Sequence, residues 1–446
     1  MPPKNASVGC FTGLLSGLRL SKTGARAAQT SGSSVAAHGT CKTNSNAMAI
    51  GSVYRPEVME TIEKTLDMLD PELRKLSLQI HDHPEIMFEE KYAHDTLTEF
   101  MASHGFEVTK HYLDMDTAWR AEFSHKEGGR VLGVNSEMDA LPKIGHACGH
   151  NLIAISGVGV ALAVKAALQK HDVPGKVVLL GTPAEEGGGG KLVLLDRGGY
   201  KEMDACVMCH PGPGPAHSVG LGPSLAMQAL EIEFFGHTSH AAAAPWEGTN
   251  SLDAAFLAYS SVAVLRQQIK PTHRVHGVVR GKDLPANVIP DYVQMLWYVR
   301  ALTAAELDEL RERVINCFRG AALSSGCKIK INEHPANLDL RQNTALAHDF
   351  ANTIKQRYEM NTTFSEGAVG GSTDFGNVTY GMSSSIPTVP NGGNHTPEFT
   401  DAARTKAAHK ETMDVTKGLA LTGFRMLDDN DFFYSVKKAF DDERKL

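Results

Sequence analysis

Between Val131 and Cys209, three short apolar runs (Val131 to Asn135, Lys176 to Gly181 and Ala205 to Cys209) flank a longer apolar stretch, Leu152 to Gln169. No other feature restricts the fold as much. Short continuous apolar runs are strands buried on both faces, and the longer stretch has the length of a helix. Strands alternating with helices predict an α/β fold with a mainly parallel central sheet. In such sheets ligands collect at the carboxyl ends of the strands. The first run leads into Glu137-Met138-Asp139-Ala140-Leu141-Pro142 and then Cys148-Gly149-His150-Asn151, and the second into Thr182-Pro183-Ala184-Glu185-Glu186. Upstream, Ile62, Leu66, Leu69, Leu73, Leu76, Leu78 and Ile80 recur at helical spacing, as helices covering a sheet require.

A second pattern begins near Ser224. Leu225 to Phe235 reads as a strand, Ser251 to Gln268 as a helix, and Arg274 to Arg280 and Tyr292 to Ala301 as strands. Ala304 to Ser325 then reads as a helix and Lys328 to Glu333 as a strand. This βαββαβ order folds as a four-stranded, ferredoxin-like sheet with two helices on one face. Alternation of helix and strand resumes after Pro335. The division expected is a tail over 1–50, a main domain over 51–224 and 336–446, and an inserted domain over 225–335.

The chain has 446 residues, enough for two cores, and its net charge of −7 gives no basic field for nucleic acid. Seven cysteines without a regular framework suit a reducing compartment. The apolar run from Leu152 to Leu168 approaches the length of a membrane span, but Lys165 interrupts it and polar motif residues abut it, so a buried helix is expected and a membrane partner is not. Lys4, Arg19, Lys22, Arg26 and Lys42 precede the first acidic residue, Glu57, among many Ser, Ala, Gly and Thr. That composition suits a mitochondrial transit peptide or a disordered cytosolic tail, so the expected location is mitochondrial or cytoplasmic.

A thiol, an imidazole and paired carboxylates delivered from neighbouring strand ends are what a two-metal hydrolytic site needs, since each ion takes several N, S or O ligands and keeps a position open for water. Gly187 to Gly190 let the backbone turn beside the carboxylates. The chain resembles the M20 family of metallopeptidases from about residue 55 to its end. The resemblance is carried by GHACGHN (145–151), TPAEEGGGGK (182–191), CHPGP (209–213), HTSHAAAAPWEGTNSLDAA (237–255), GSTDFGNV (371–378) and NHTPEFTDAA (394–403). Asn151 and the PWEGTNSLDA run are most similar to the aminoacylase-like dipeptidase branch.

By matched position, the resemblance implies that Cys148, His150, Glu186, His210 and His395 hold two divalent ions, zinc first, with manganese or cobalt as alternatives. Whether Cys148 bridges the ions or binds one is left open. Asp139 is the expected carboxylate behind His150. Glu185 matches the general base, and His240 the histidine that reaches across a dimer toward the partner's reaction centre. Asn287, Arg300, Gly371 and Ser372 are candidate substrate contacts. The inserted domain becomes a lid and homodimerisation domain, and the reaction becomes hydrolysis of a dipeptide or an N-acyl amino acid. Other readings are amide cleavage or formation on a specialised metabolite, and a catalytically silent binder of amino-acid conjugates. Much of the plant and bacterial branch carries Asp where this chain has Asn151, which puts a role of that position in metal tuning in doubt.

Other motifs compete less well. Cys206-Val207-Met208-Cys209-His210 has the spacing of a c-type haem attachment, but it lies in a strand-like run where attachment would need exposure. The same two cysteines offer a redox dithiol or two small core residues. Gly187 to Lys191 lacks the first Gly and the final Ser or Thr of a phosphate loop. Gly370 to Asp374 lacks the last Gly of a nucleophile elbow.

Overall fold

A computed structural model describes residues 52–282, 285–365, 370–378, 382–388 and 393–443. The amino-terminal tail, and with it the targeting expectation, lies outside the described residues. In chain order the elements are α1 (Pro56–Asp82), α2 (Lys91–Ser103), β1 (Glu107–Lys110), β2 (Trp119–His125), β3 (Arg130–Glu137), α3 (His150–His171), β4 (Gly175–Thr182), α4 (Gly190–Asp196), β5 (Ala205–Gly212) and β6 (Ser218–Leu221). Then come β7 (Ala226–Phe235), α5 (Ser251–Leu265), β8 (Arg274–Gly281), β9 (Tyr292–Ala301), α6 (Ala304–Ser325) and β10 (Lys328–Glu333). The chain closes with α7 (Thr344–Tyr358), β11 (Asn361–Phe364), α8 (Phe375–Val378), β12 (Met382–Thr388), α9 (Pro397–Ala403), α10 (Lys406–Asp428) and α11 (Asn430–Glu443).

Eight strands form one sheet in the order β1-β2-β4-β3-β5-β12-β6-β11. Its centre, β4-β3-β5-β12, is parallel throughout. These are the strands of the apolar runs, and Val134, Val177, Leu179 and Val207 are fully buried in them. Parallel strands covered on both faces need such continuous apolarity. Away from this centre, β1 and β2 add antiparallel pairs on one side and β6 meets β12 antiparallel on the other.

The helix α3 is long and apolar enough to cross a membrane, yet its residues from His150 to Val164 are buried. It packs on β3, β4 and β5, with α1 and α10 against it. A helix apolar on every side needs cover on every side, and here the sheet and two helices supply it. Cys206 and Cys209 are buried free thiols of β5 that belong to separate apolar clusters, as residues three apart on a strand must. That placement removes the dithiol and haem readings.

Strands β7 to β10 form a second, antiparallel sheet in the order β10-β7-β9-β8, with α5 and α6 packed together against it. Burial alternates residue by residue along β7 and β9, the signature of a sheet with one face on a core. Phe234, Trp297 and Phe318 fill that core. At its root, Leu225 N donates to Gly371 O and Ser372 Oγ donates to Leu225 O, at 2.9 and 2.7 Å.

Candidate functional site

The strand ends deliver the site. Glu137, the last residue of β3, pairs with Thr182, the last of β4, so the loops after them leave the same sheet edge side by side. On the other flank of β3, β5 carries His210 two residues before its end at Gly212, and β12 lies beside it. His150 is the first residue of α3, preceded by Gly149 at φ 77°. A side chain at Gly149 would place its Cβ 2.6 Å from Pro211 Cγ, so both the left-handed turn and the close approach require glycine. The TPAEE turn is strained too. Ala184 sits at φ 58°, a conformation that costs a non-glycine residue on the order of 1–2 kcal/mol. Its N–H donates to the buried carboxylate of Glu90 at 2.9 Å. His395, at φ 68°, is pinned by its own N–H to Ala147 O at 2.8 Å.

Three groups of potential metal ligands result among the described residues, two of them sharing the Cys148 sulfur and the third made by Glu137, His150 and Glu185. The ligand atoms of Cys148, His150 and His210 lie within 4.8 Å of one another, as do those of Cys148, Glu186 and His395. Cys148 Sγ is 3.4 Å from His210 Nε2, and His395 Nε2 is 3.3 Å from Glu186 Oε2. Asp139 joins the groups from behind, with one oxygen 3.1 Å from His150 Nδ1 and the other accepting the Glu186 N–H at 3.0 Å. That contact leaves His150 Nε2 as the nitrogen facing the cluster. Cys148 and His150 are buried, whereas the His395 side chain is 55% exposed, so the site opens on the His395 side.

The residues fit divalent ions. His150 Nε2 and Glu186 Oε1 are buried and accept or donate no hydrogen bond among the described residues. Buried polar atoms are almost always paired, and two orphans aimed at a thiol and a second imidazole make a ligand set. The electrostatics agree. Burial pushes the Cys148 thiol up to about 12, although His150 opposes it. Burial would lower His150, but Asp139, Cys148 and Glu137 outweigh it and raise the ring well above its ordinary value. Burial, then Glu137, Glu186 and Asp374, push Glu185 well above the usual carboxylate range, against Lys191. Glu186 goes the other way, because His395 and His150 overcome its burial. Two adjacent glutamates are thus driven apart, the arrangement that separates a proton carrier from a ligand.

The remaining candidates are less central. His240 is exposed, its Nδ1 accepting from the N–H groups of Ala242 and Ala243, and it joins none of the ligand groups of its own chain among the described residues. Asn287 is exposed beside it, its carbonyl accepting from Ala241 N at 2.9 Å. Arg300 makes no ion pair among the described residues; it donates to Ser372 Oγ at 3.1 Å, and its charge is felt at His395. Gly371 and Ser372 are held against Leu225. Asn151 turns away from the cluster, donating to Ser77 Oγ and Ala403 O at 2.9 and 3.2 Å, so an amide there ties α3 to α1 and α9. Sequence reasoning missed Glu137, Lys191 and Asp374, three fully buried charged residues beside Glu185, and Asn394, which donates to Cys148 Sγ at 3.5 Å. Each lies in or next to a quoted motif. Only the oddity of charge in otherwise apolar surroundings could have marked them.

Comparison with known proteins is consistent with this geometry. The profile of Peptidase family M20/M25/M40 matches residues 133–416. A mouse protein named Xaa-Arg dipeptidase (Mus musculus) is 39% identical over 404 residues, covering 84% of this chain and 90% of its own length. Its human counterpart (Homo sapiens), of the same name, is 36% identical over 408 residues with the same coverage of 84% and 90%. Among solved structures, the Bacillus subtilis YXEP protein, described as a dinuclear metal binding peptidase from the M20 family, superposes with a TM-score of 0.61 at 20% identity, over 81% of this chain and 99% of its own.

Proposed function

The chain belongs to Peptidase family M20/M25/M40 and is a hydrolase of amide bonds, and from that premise we propose that it is a dinuclear-metal dipeptidase with Glu185 as its general base. The observation that carries the reading is the shared sulfur: Cys148 stands in two of the three ligand groups, with Glu185 Oε2 3.9 Å from His150 Nε2 beside them. Cys148, His150 and His210 would hold one ion, and Cys148, Glu186 and His395 the other. Bound there, the ions polarise the amide carbonyl and acidify a water molecule; zinc is the first choice, with manganese and cobalt accepted by the same donors.

The chain's own residues do the rest. Glu185 takes a proton from the attacking water and returns it to the departing amine, a task suited to a carboxyl that burial and the neighbouring carboxylates hold well above the usual carboxylate range. Asp139 keeps His150 and the Glu186 backbone in register. Arg300, with Ser372 and Gly371 at its tip, takes the substrate carboxylate, and Asn287 a substrate carbonyl. His240 supplies an oxyanion contact to a second copy, for which the βαββαβ unit acts as lid and dimerisation surface. The substrate is a short dipeptide with a basic second residue, a choice supported by the names of the 36–39% identical relatives.

Glu185→Gln tests the reading. On a panel of Xaa-Arg dipeptides and N-acyl amino acids, turnover should fall by about 10²–10⁴-fold while metal content stays at the wild-type value. Near-normal turnover in that variant removes Glu185 as the base, and preference for N-acyl amino acids over dipeptides removes the substrate assignment.

A further inference from the structure

Lys191, the second residue of α4, is fully buried. Its ammonium lies 2.7 Å from Glu137 Oε1 and 2.6 Å from Asp374 Oδ1, and its backbone N–H donates to Asp374 Oδ2 at 2.9 Å. Both carboxylates are fully buried as well. None of the steps above uses these three residues. A buried charged triad of this kind adds little to stability compared with apolar packing, so its presence beside a reaction centre calls for another reason.

The other side of Glu137 provides it. Its Oε2 lies 3.4 Å from His150 Nε2, and Glu137, His150 and Glu185 form a third group whose ligand atoms are within 4.8 Å of one another. Neither oxygen of Glu137 accepts an aligned hydrogen bond among the described residues. This third group competes with the first, because both need His150 Nε2, the ring's other nitrogen being engaged by Asp139. An ion drawn to it would leave Cys148 and would consume Glu185 as a ligand.

We propose that Lys191 is a tethered cation that occupies the Glu137–Asp374 carboxylate pair and thereby keeps a divalent ion out of the Glu137–His150–Glu185 position, a positioning role that preserves Glu185 as a free base. The proposal rests on the dinuclear reading above. An ammonium at ion-pair distance from Glu137 repels a dication brought to the same carboxylate and satisfies the charge that would attract it. Lysine serves here because it is a compact point charge with three donors on a long apolar stem, able to reach two carboxylates from inside a core.

The test uses the full-length protein loaded with cobalt, reading cobalt content and the thiolate-to-cobalt absorption band, with dipeptide turnover alongside. Lys191→Met alone leaves two unpaired buried carboxylates and risks unfolding, so two double variants of equal net charge are compared. Lys191→Met with Asp374→Asn keeps Glu137, whereas Lys191→Met with Glu137→Gln keeps Asp374. In the first, the band per bound cobalt should fall to about half, since the sulfur then serves one ion in place of two, and turnover should collapse. In the second, the band per cobalt should match wild type. Equal bands in the two double variants, or a loss confined to the second, overturns the proposal. So does a weakened band in Glu137→Gln alone, which would make Glu137 itself part of the metal site whatever the double variants do. A wild-type protein without a thiolate band overturns the dinuclear reading and this proposal together.

Discussion

Cys148 is the one side chain whose loss should empty both metal positions. Cys148→Ala takes one of three ligands from each of the two groups that share it, whereas His210→Ala or His395→Ala takes one ligand from a single group. Ions that bind only the folded chain stabilise it by mass action, about 2.7 kcal/mol each at a free concentration a hundredfold above the dissociation constant. Wild type should therefore unfold about 5.4 kcal/mol less readily with metal than with chelator, His210→Ala and His395→Ala about 2.7 kcal/mol less readily, and Cys148→Ala with almost no difference. Denaturant unfolding followed by circular dichroism, with and without chelator, gives these differences, and elemental analysis should count about two, one and no ions per chain. The apo forms should differ little, because alanine fills most of the buried thiol's space and lacks its polarity. A Cys148→Ala protein that retains one ion, and loses no more metal-dependent stability than His210→Ala, would refute the shared sulfur. Cys148 would then belong to one ion only.

Two further outcomes follow from the same geometry. Burial pushes the Glu90 carboxyl up to about 7, against its hydrogen bonds from Thr117 and Ala184; with the folded value above the unfolded one, wild type should lose up to about 3 kcal/mol of stability as pH rises from roughly 4.5 to 7, and Glu90→Gln should not. Parallel urea midpoints for the two proteins across that range would dismiss this. His240→Ala should lower kcat without releasing metal, and random re-association with Glu185→Gln should restore about a quarter of wild-type turnover, because half of the dimers are mixed and each has one complete site; verified mixed dimers that stay inactive would end the proposal of shared sites.

How much of this was legible in the sequence varied with the physics behind each element. The bounds of β9, α6 and β10 match the reading residue for residue, because an amphipathic strand and a long capped helix carry their periodicity in the chain itself. The short peripheral strands β1, β6 and β11 were missed. Each is only four residues long, too short to show a period, and forms because the neighbouring strand is already in place. Harder still is β12, Met-Ser-Ser-Ser-Ile-Pro-Thr, which runs between β5 and β6 despite three serines and a proline. Proline cannot donate to a ladder, and the register with β5 shifts between Ile386 and Thr388, on either side of Pro387. Partners on both flanks override a propensity that would exclude a strand.

The site divides along the same line. Thiol, imidazole and carboxylate donors announce themselves by residue type, which singles out Cys148, His150, Glu185 and Glu186 at the strand ends, whereas His210, His395 and the separate tasks of the two glutamates rest on the family resemblance. The Lys191 triad could not be read from the chain, since Lys191 and Asp374 are 183 residues apart and a buried ion pair has no period or spacing to betray it. Yet the two sets constrain each other. Glu137, Asp139, Glu185, Glu186 and Asp374 bring five carboxylates to one sheet edge, and such a concentration of like charge persists in a folded core only when cations meet it. Lys191 answers two of them permanently, and His150 and His395 face others. The charge that remains converges on the unpaired atoms His150 Nε2 and Glu186 Oε1, where no side-chain cation among the described residues makes a hydrogen bond. Under the proposed mechanism, a fold that supplies its own ammonium to one carboxylate pair and leaves the adjacent set to exchangeable ions would separate structural charge from catalytic charge, and that separation would let Glu185 serve as a base within a few ångströms of the proposed metal ligands.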